Sequence, residues 1–154
     1  VPDATFLVYE DAEGNTSEWT YLSFDKVVSS AAGVLSSRGV QRGSAVHLSL
    51  SNSPAFVALW LAISRIGATM VPSDPRATVR ELSWQIDATR PALGVCSAHR
   101  SAEYEEALRS AGYRSDVMTL DESDTEMTTL RGPESMEVTD LPPELPAAIM
   151  FTSG

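Results

Sequence analysis

The spacing of apolar residues changes several times along the chain, and each change marks an expected element. The opening "ATFLVYEDAEGNTSEWTYLS" has two short strand-like runs around a Gly-Asn turn, which predicts a hairpin. Phe24, Val27 or Val28, Ala31 and Leu35 then recur at helical spacing, with Ser23 as the expected cap, Asp25 in the first turn and Gly39 as the stop. "AVHLSL" alternates as a strand does. "NSPAFVALWLAISRIG" predicts a helix that Asn52 caps, Pro54 begins and Gly67 ends; being apolar nearly all round, it should pack on more than one side. "ATMVPS" is a strand, and "TVRELSWQIDAT" is a helix opened by the reciprocal capping pair Thr78 and Glu81 and closed by Pro91. "PALGVCS" is a strand. "SAEYEEALRSAG" is a helix with Tyr104, Ala107, Leu108 and Ala111 on one face and Gly112 as its stop, and "SDVMTL" is another strand. Ala148 to Phe151 read as one more buried strand, ending on the hydroxyl-rich turn Thr152-Ser153-Gly154.

Strand and helix alternating about every two dozen residues is the signature of right-handed parallel crossovers. The expected fold is therefore α/β: an open, mainly parallel sheet with helices on both faces, preceded by a small β-hairpin. At 154 residues, residues 1–154 fit a single α/β subdomain, and residues 121–146 within it read as an acidic, proline-rich linker over the surface.

Charge and cysteine usage narrow the function classes. A net charge of −10 without a basic stripe argues against nucleic acid. Nine of the acidic residues lie between Asp116 and Glu144, against Arg131 alone, which fits a solvated segment. No apolar run approaches the roughly 20 residues of a membrane span, and the acidic start does not resemble a signal peptide. A lone cysteine, Cys96, allows neither an internal disulfide nor zinc-ligand spacing, and a cytoplasmic location is expected.

In parallel sheets ligands sit beyond the carboxyl ends of the strands, where Thr152, Ser153 and Gly154 are expected: two hydroxyl donors and a glycine that lets the main chain approach an anion. The triplet alone is also an ordinary polar turn, and it is not a Walker loop. His47 reads as a structural histidine, Cys96 as core, and Trp60 and Trp84 as packing residues. His99 lacks the partners of a triad.

The stretch "TYLSFDKVVSSAAGVLSSRGVQRGSAVHLSLSNSPAFVALWLAISRIGATMVPSDP" resembles the amino-terminal part of the adenylate-forming (ANL) superfamily of acyl-CoA synthetases, adenylation domains and luciferases. Tyr21, Gly39-Val40, Gly43, Asn52-Ser53-Pro54, Gly67-Ala68, Pro72 and Pro75 carry the match in order and spacing. Phe151-Thr152-Ser153-Gly154 are similar to the start of that family's ATP phosphate loop, with the rest of the loop missing; Ser44 stands where the family usually has Asp. Within the superfamily the sequence looks most like acid–CoA ligases, including the carnitine or betaine–CoA branch.

The resemblance implies an enzyme that uses ATP with Mg2+ to convert a carboxylic acid to an acyl adenylate, releasing pyrophosphate, and then passes the acyl group to CoA, as in fatty acid metabolism. It implies that Thr152, Ser153 and Gly154 contact the ATP phosphates. It also implies that the acyl pocket, magnesium ligand and lid lie outside this chain, so that the chain alone is inactive and self-associates through an exposed edge. Two other readings stand beside it: a stand-alone α/β interaction module without activity, and a flavodoxin-like binder of FMN phosphate.

Overall fold

Strands β1 (Thr5–Glu10) and β2 (Thr16–Thr20) pair antiparallel as the expected hairpin. The structure is a computed structural model and describes residues 1–132, 136–138 and 140–152. The hairpin turn is closed by the Asp11 carboxylate, which accepts from the Glu13 and Asn15 N–H groups and the Asn15 amide.

Helix α1 (Tyr21–Ser37) begins earlier than its apolar spacing suggests, because Thr20 caps it. The Thr20 side chain accepts from the Ser23 N–H and the Ser23 hydroxyl accepts from the Thr20 N–H, so Ser23 is the third residue of a capping box. Asp25 lies beyond the first turn and forms an ion pair with Arg65 of the next helix. A similar one-residue correction holds for α2 (Pro54–Ile66): its cap is Ser53, whose hydroxyl accepts from the Phe56 N–H, while Asn52 is exposed. Gly67 ends α2 in the left-handed conformation at φ 78°. A side chain there would meet Leu141 and Leu145, so glycine serves both the turn and a close approach.

Four parallel strands, β3 (Ala45–Ser49), β4 (Thr69–Ser73), β5 (Leu93–Ser97) and β6 (Asp116–Leu120), form a sheet in the order β4-β3-β5-β6. Helices α1 and α2 cover one face over Val46, Leu48, Met70, Leu93, Val95 and Met118. Helices α3 (Val79–Thr89) and α4 (Ser101–Ser110) cover the other, where Leu82, Ile86, Tyr104, Ala107 and Leu108 pack with Cys96. Because both faces are covered, β3, β4 and β5 are buried along nearly all their length, as parallel strands require, while the edge strand β6 leaves Asp116 and Thr119 exposed. The expected α/β layering is borne out.

Two expectations need correction. Helix α2 packs on its inner side only: Ala55, Ala58, Leu59, Ala62 and Ile63 are buried, whereas Trp60 is 46% exposed and Leu61 is also exposed. Trp84 of α3 is 61% exposed, because it points away from the face that Leu82 and Ile86 bury. Neither tryptophan is a core residue.

From β6 the chain crosses the α1–α2 side of the sheet to its opposite edge. Met127 and Leu130, the latter in a 3-10 turn (Thr128–Leu130), are buried in the main core. The Ser29 hydroxyl donates to the Met136 carbonyl at 2.7 Å, the Gly132 N–H donates to the Ser30 hydroxyl at 2.8 Å, and the Thr69 hydroxyl donates to the Pro146 carbonyl at 3.0 Å. Asp121, Glu126, Glu137, Asp140 and Glu144 of this segment are exposed, while Met127 and Leu130 join the core beside α1. No helix among the described residues is long and apolar enough to cross a membrane.

Ser53→Ala should lower stability by about 1 kcal/mol, the usual cost of a lost N-cap, while Asn52→Ala leaves it unchanged; urea unfolding of the two variants checks the assignment. A methyl group at position 94 would collide with the Tyr104 hydroxyl and ring. Gly94→Ala should therefore cost roughly 1–3 kcal/mol by overpacking, read in the same titration.

Candidate functional site

The terminal segment reaches the outer edge of β4, and the backbone there determines what it can do. The Met70 N–H donates to the Ala147 carbonyl at 3.0 Å, and the Ile149 N–H donates to the Met70 carbonyl at 2.8 Å, giving one parallel bridge between Met70 and Ala148. The next rung would need an N–H from residue 72, which is Pro72 and has none. The ladder stops after one rung. Ala148 to Phe151 are accordingly not the buried strand their composition suggests; Met150 is 69% exposed and only Ala148 packs on the core. Released from the ladder, Phe151 lies against the ring of Trp84, edge-on, with centroids 4.9 Å apart.

Thr152 is exposed and lines a cleft of about 680 Å3 beyond the carboxyl end of β4. The other walls are the turn from Pro72 to Ala77 and the exposed side of α3 with Glu81, Trp84 and Gln85. Ser153 and Gly154, the other two expected ligand residues, lie outside the described residues.

The charges around the cleft are engaged within the chain. Asp74 accepts from the Arg76 backbone N–H at 2.7 Å and from its guanidinium at 3.3 Å. The Arg76 guanidinium and N–H hold the Asp74 carboxyl below its ordinary pKa, and Asp74 in turn raises that of Arg76. Glu81 accepts from the Thr78 N–H and hydroxyl, both at 2.7 Å, and these bonds lower its pKa. The Ser73 hydroxyl, by contrast, is buried without a hydrogen-bond partner among the described residues. No sequence signal singled out Ser73 or Gln85, since a hydroxyl at a strand end and an amide on a helix are common residues in common places.

The remaining candidates fall elsewhere. His47 is fully buried, with Nδ1 2.8 Å from the Tyr104 hydroxyl and Nε2 3.0 Å from Gln85 Oε1, so it is a satisfied core histidine; burial lowers its pKa. Cys96 is core too, its thiol pushed up to about 11 by burial, which leaves it protonated and unreactive. His99 sits in the short turn Ala98–Arg100 and makes no side-chain hydrogen bond among the described residues.

Connections leave β3 and β5 in opposite directions, so the crevice between their carboxyl ends is where a doubly wound sheet ordinarily binds ligand. Here Glu122 fills it, accepting from the Ser51 N–H and the Ser97 hydroxyl. An FMN phosphate would have to displace a carboxylate, which counts against the flavodoxin-like reading.

Comparison with known proteins agrees with this layout. The family model described as "AMP-binding enzyme" matches residues 1–154. A crotonobetaine/carnitine–CoA ligase from Salmonella typhimurium is 28% identical over 162 residues, covering 99% of this chain and 31% of the relative. The chain thus spans about a third of the length of such relatives. Among solved structures, ATP-bound MatB from Rhodopseudomonas palustris superposes with a TM-score of 0.82 at 25% identity, over 99% of this chain and 30% of that one. O-succinylbenzoate coenzyme A synthetase from Bacillus subtilis, in complex with AMP, shares the fold with a TM-score of 0.79 at 18% identity, over 99% and 36% of the two chains.

Asp74 and Glu81 have folded pKa values below their unfolded ones, so the unfolded chain binds more protons as acid is added. Their contribution is complete above the unfolded carboxylate range and is lost as pH falls through the lowered folded values. The thermal midpoint should begin to fall below about pH 6.5, where the unfolded chain protonates the His47 that burial keeps neutral in the fold, and should fall further between about pH 4 and pH 2. Glu81→Gln, which keeps the cap without the titration, should make that fall shallower in a calorimetric pH series.

Proposed function

The chain belongs to the AMP-binding enzyme family, and from that premise we propose that it forms the amino-terminal part of an ATP-dependent acid–CoA ligase in which Thr152, Ser153 and Gly154 open the ATP phosphate loop. The observation that carries this reading is the match over the whole chain combined with the position of Thr152: exposed, at the carboxyl end of the sheet, on a segment that Pro72 keeps out of the ladder. A hydroxyl at such a place suits phosphoryl oxygens, which accept hydrogen bonds.

The chemistry requires activation because a carboxylate resists attack by a thiol. Joining it to the α-phosphorus of ATP breaks the bond to pyrophosphate and leaves AMP as a good leaving group; the thiol of CoA then takes the acyl group and AMP departs. Donors on the phosphate loop stabilise the charge that grows on the departing pyrophosphate, an effect of several kcal/mol where it has been dissected. Mg2+ would share that task. Among the described residues no three of Asp, Glu, His and Cys converge as a metal site, and no magnesium ligand is assigned to this chain. The carboxylic acid belongs to the same proposal at the level of its class, the relatives named above being acid–CoA ligases.

Acid-dependent exchange of labelled pyrophosphate into ATP tests the reading. The full-length protein should catalyse it and the 154-residue chain should not, and Thr152→Ala in the full-length protein should lower kcat/KM by about tenfold or more. Full activity of the Thr152 variant, or failure of the full-length protein to activate any acid, would remove Thr152 from the phosphate loop or the ligase assignment, respectively.

A further inference from the structure

The turn from Pro72 to Ala77 forms one wall of the cleft, and its own hydrogen bonds are local. The Ala77 N–H donates to the Asp74 carbonyl at 2.9 Å, and Arg76 bonds to the Asp74 carboxylate. Bonds of that kind shape a turn without fixing where it stands. Ala77 is buried against the α3–α4 core and anchors the far end. Among the described residues, the hydrogen bonds that reach residues 75–77 from a distant segment all come from one side chain, Arg100.

Arg100 ends the short turn after β5, and its side chain is only 18% exposed. Its Nη1 donates to the Pro75 carbonyl and its Nη2 to the Ala77 carbonyl at 2.8 Å. Glu103 lies 3.9 Å from Nε, too far for a hydrogen bond, so the guanidinium is committed to the turn. A planar fork holds two acceptors in fixed directions at once, which a lysine ammonium cannot do. Strands β4 and β5 lie on either side of β3, so this clasp joins the loops that leave two strands not paired with each other.

The clasp also bears on the charge of the wall. Asp74 is held low by its bonds to Arg76 first and, in smaller part, by the charge of Arg100. Two guanidinium groups thus stand against the carboxylates of Asp74 and Glu81. Thr152 lines the same cleft, so the place of the turn decides whether one ligand can meet both. A wall free to shift must be ordered when a ligand arrives, and that cost is subtracted from affinity; a wall already fixed avoids it.

We propose that Arg100 is a positioning residue for the nucleotide: it holds the turn between β4 and α3 in place beside Thr152, so that ATP binds without first ordering that wall. The inference rests on the ligase reading with ATP in this cleft, and it adds a residue that the phosphate loop does not contain.

The test uses the full-length protein and acid-dependent exchange of labelled pyrophosphate into ATP, with kcat and KM measured for ATP and for the acid. Arg100→Ala should raise KM for ATP about tenfold and leave kcat and KM for the acid within about twofold. Guanidinium ion at about 20 mM, which restores the fork, should bring KM for ATP back toward the parent value, while ammonium at the same concentration should not. Arg100→Lys should fall between the two, and Glu103→Gln should match the parent. A merely structural role gives another pattern: loss of folded enzyme lowers the apparent kcat, leaves KM for ATP in place and is not mended by guanidinium. That pattern, an unchanged KM for ATP, or an equal rise in KM for the acid overturns the inference. If the parent protein activates no acid, the ligase reading falls and takes this inference with it; an active parent whose KM for ATP is indifferent to Arg100→Ala sinks the inference and spares the ligase reading.

Discussion

Burying a parallel sheet on both faces is the constraint from which the rest of this molecule follows. Each strand must offer apolar side chains in both directions, so β3 places Val46 and Leu48 under α1 and α2 and turns His47 toward α3 and α4. A polar group on such a strand has no water to fall back on. His47 therefore finds Tyr104 and Gln85, and Ser97 finds Glu122. The same requirement makes the covering helices amphipathic, with Trp60 and Trp84 left on their outer sides.

Those rules explain why so much of the architecture was legible in the sequence. Period changes located all four helices and the hairpin, and the Thr78–Glu81 capping box was read correctly because both partners are local. The caps of α1 and α2 were misplaced by one to three residues because Thr20, Ser23, Asn52 and Ser53 are all plausible caps, and only backbone conformation separates them. The segment from Ala148 to Phe151 misled for a different reason. Its apolar composition is that of a strand, but its pairing is limited by a residue on its neighbour, Pro72, some 77 positions earlier in the chain than Ile149. Composition within a window cannot register a missing donor across a sheet.

The candidate site shows the same division. Thr152 is a candidate through the resemblance of its surroundings to a family, whereas Ser73 and Gln85 stand out only through what they touch or fail to touch. Gln85 is one residue after Trp84 on a helix, and nothing in its local pattern announces that a buried imidazole holds its oxygen. Chemistry built from committed and uncommitted hydrogen bonds is a property of the assembled fold.

The path from β6 to the far edge of the sheet also has a consequence in time. The Thr69 hydroxyl meets the Pro146 carbonyl across 77 residues of sequence, while every strand of the main sheet is complete by Leu120. Domains fold in order as synthesis delivers them, and a nascent chain on the ribosome has all the material for the sheet and its helices before the closing segment emerges. The cleft lined by Thr152 therefore closes only after the strands and helices of the sheet have all been synthesised.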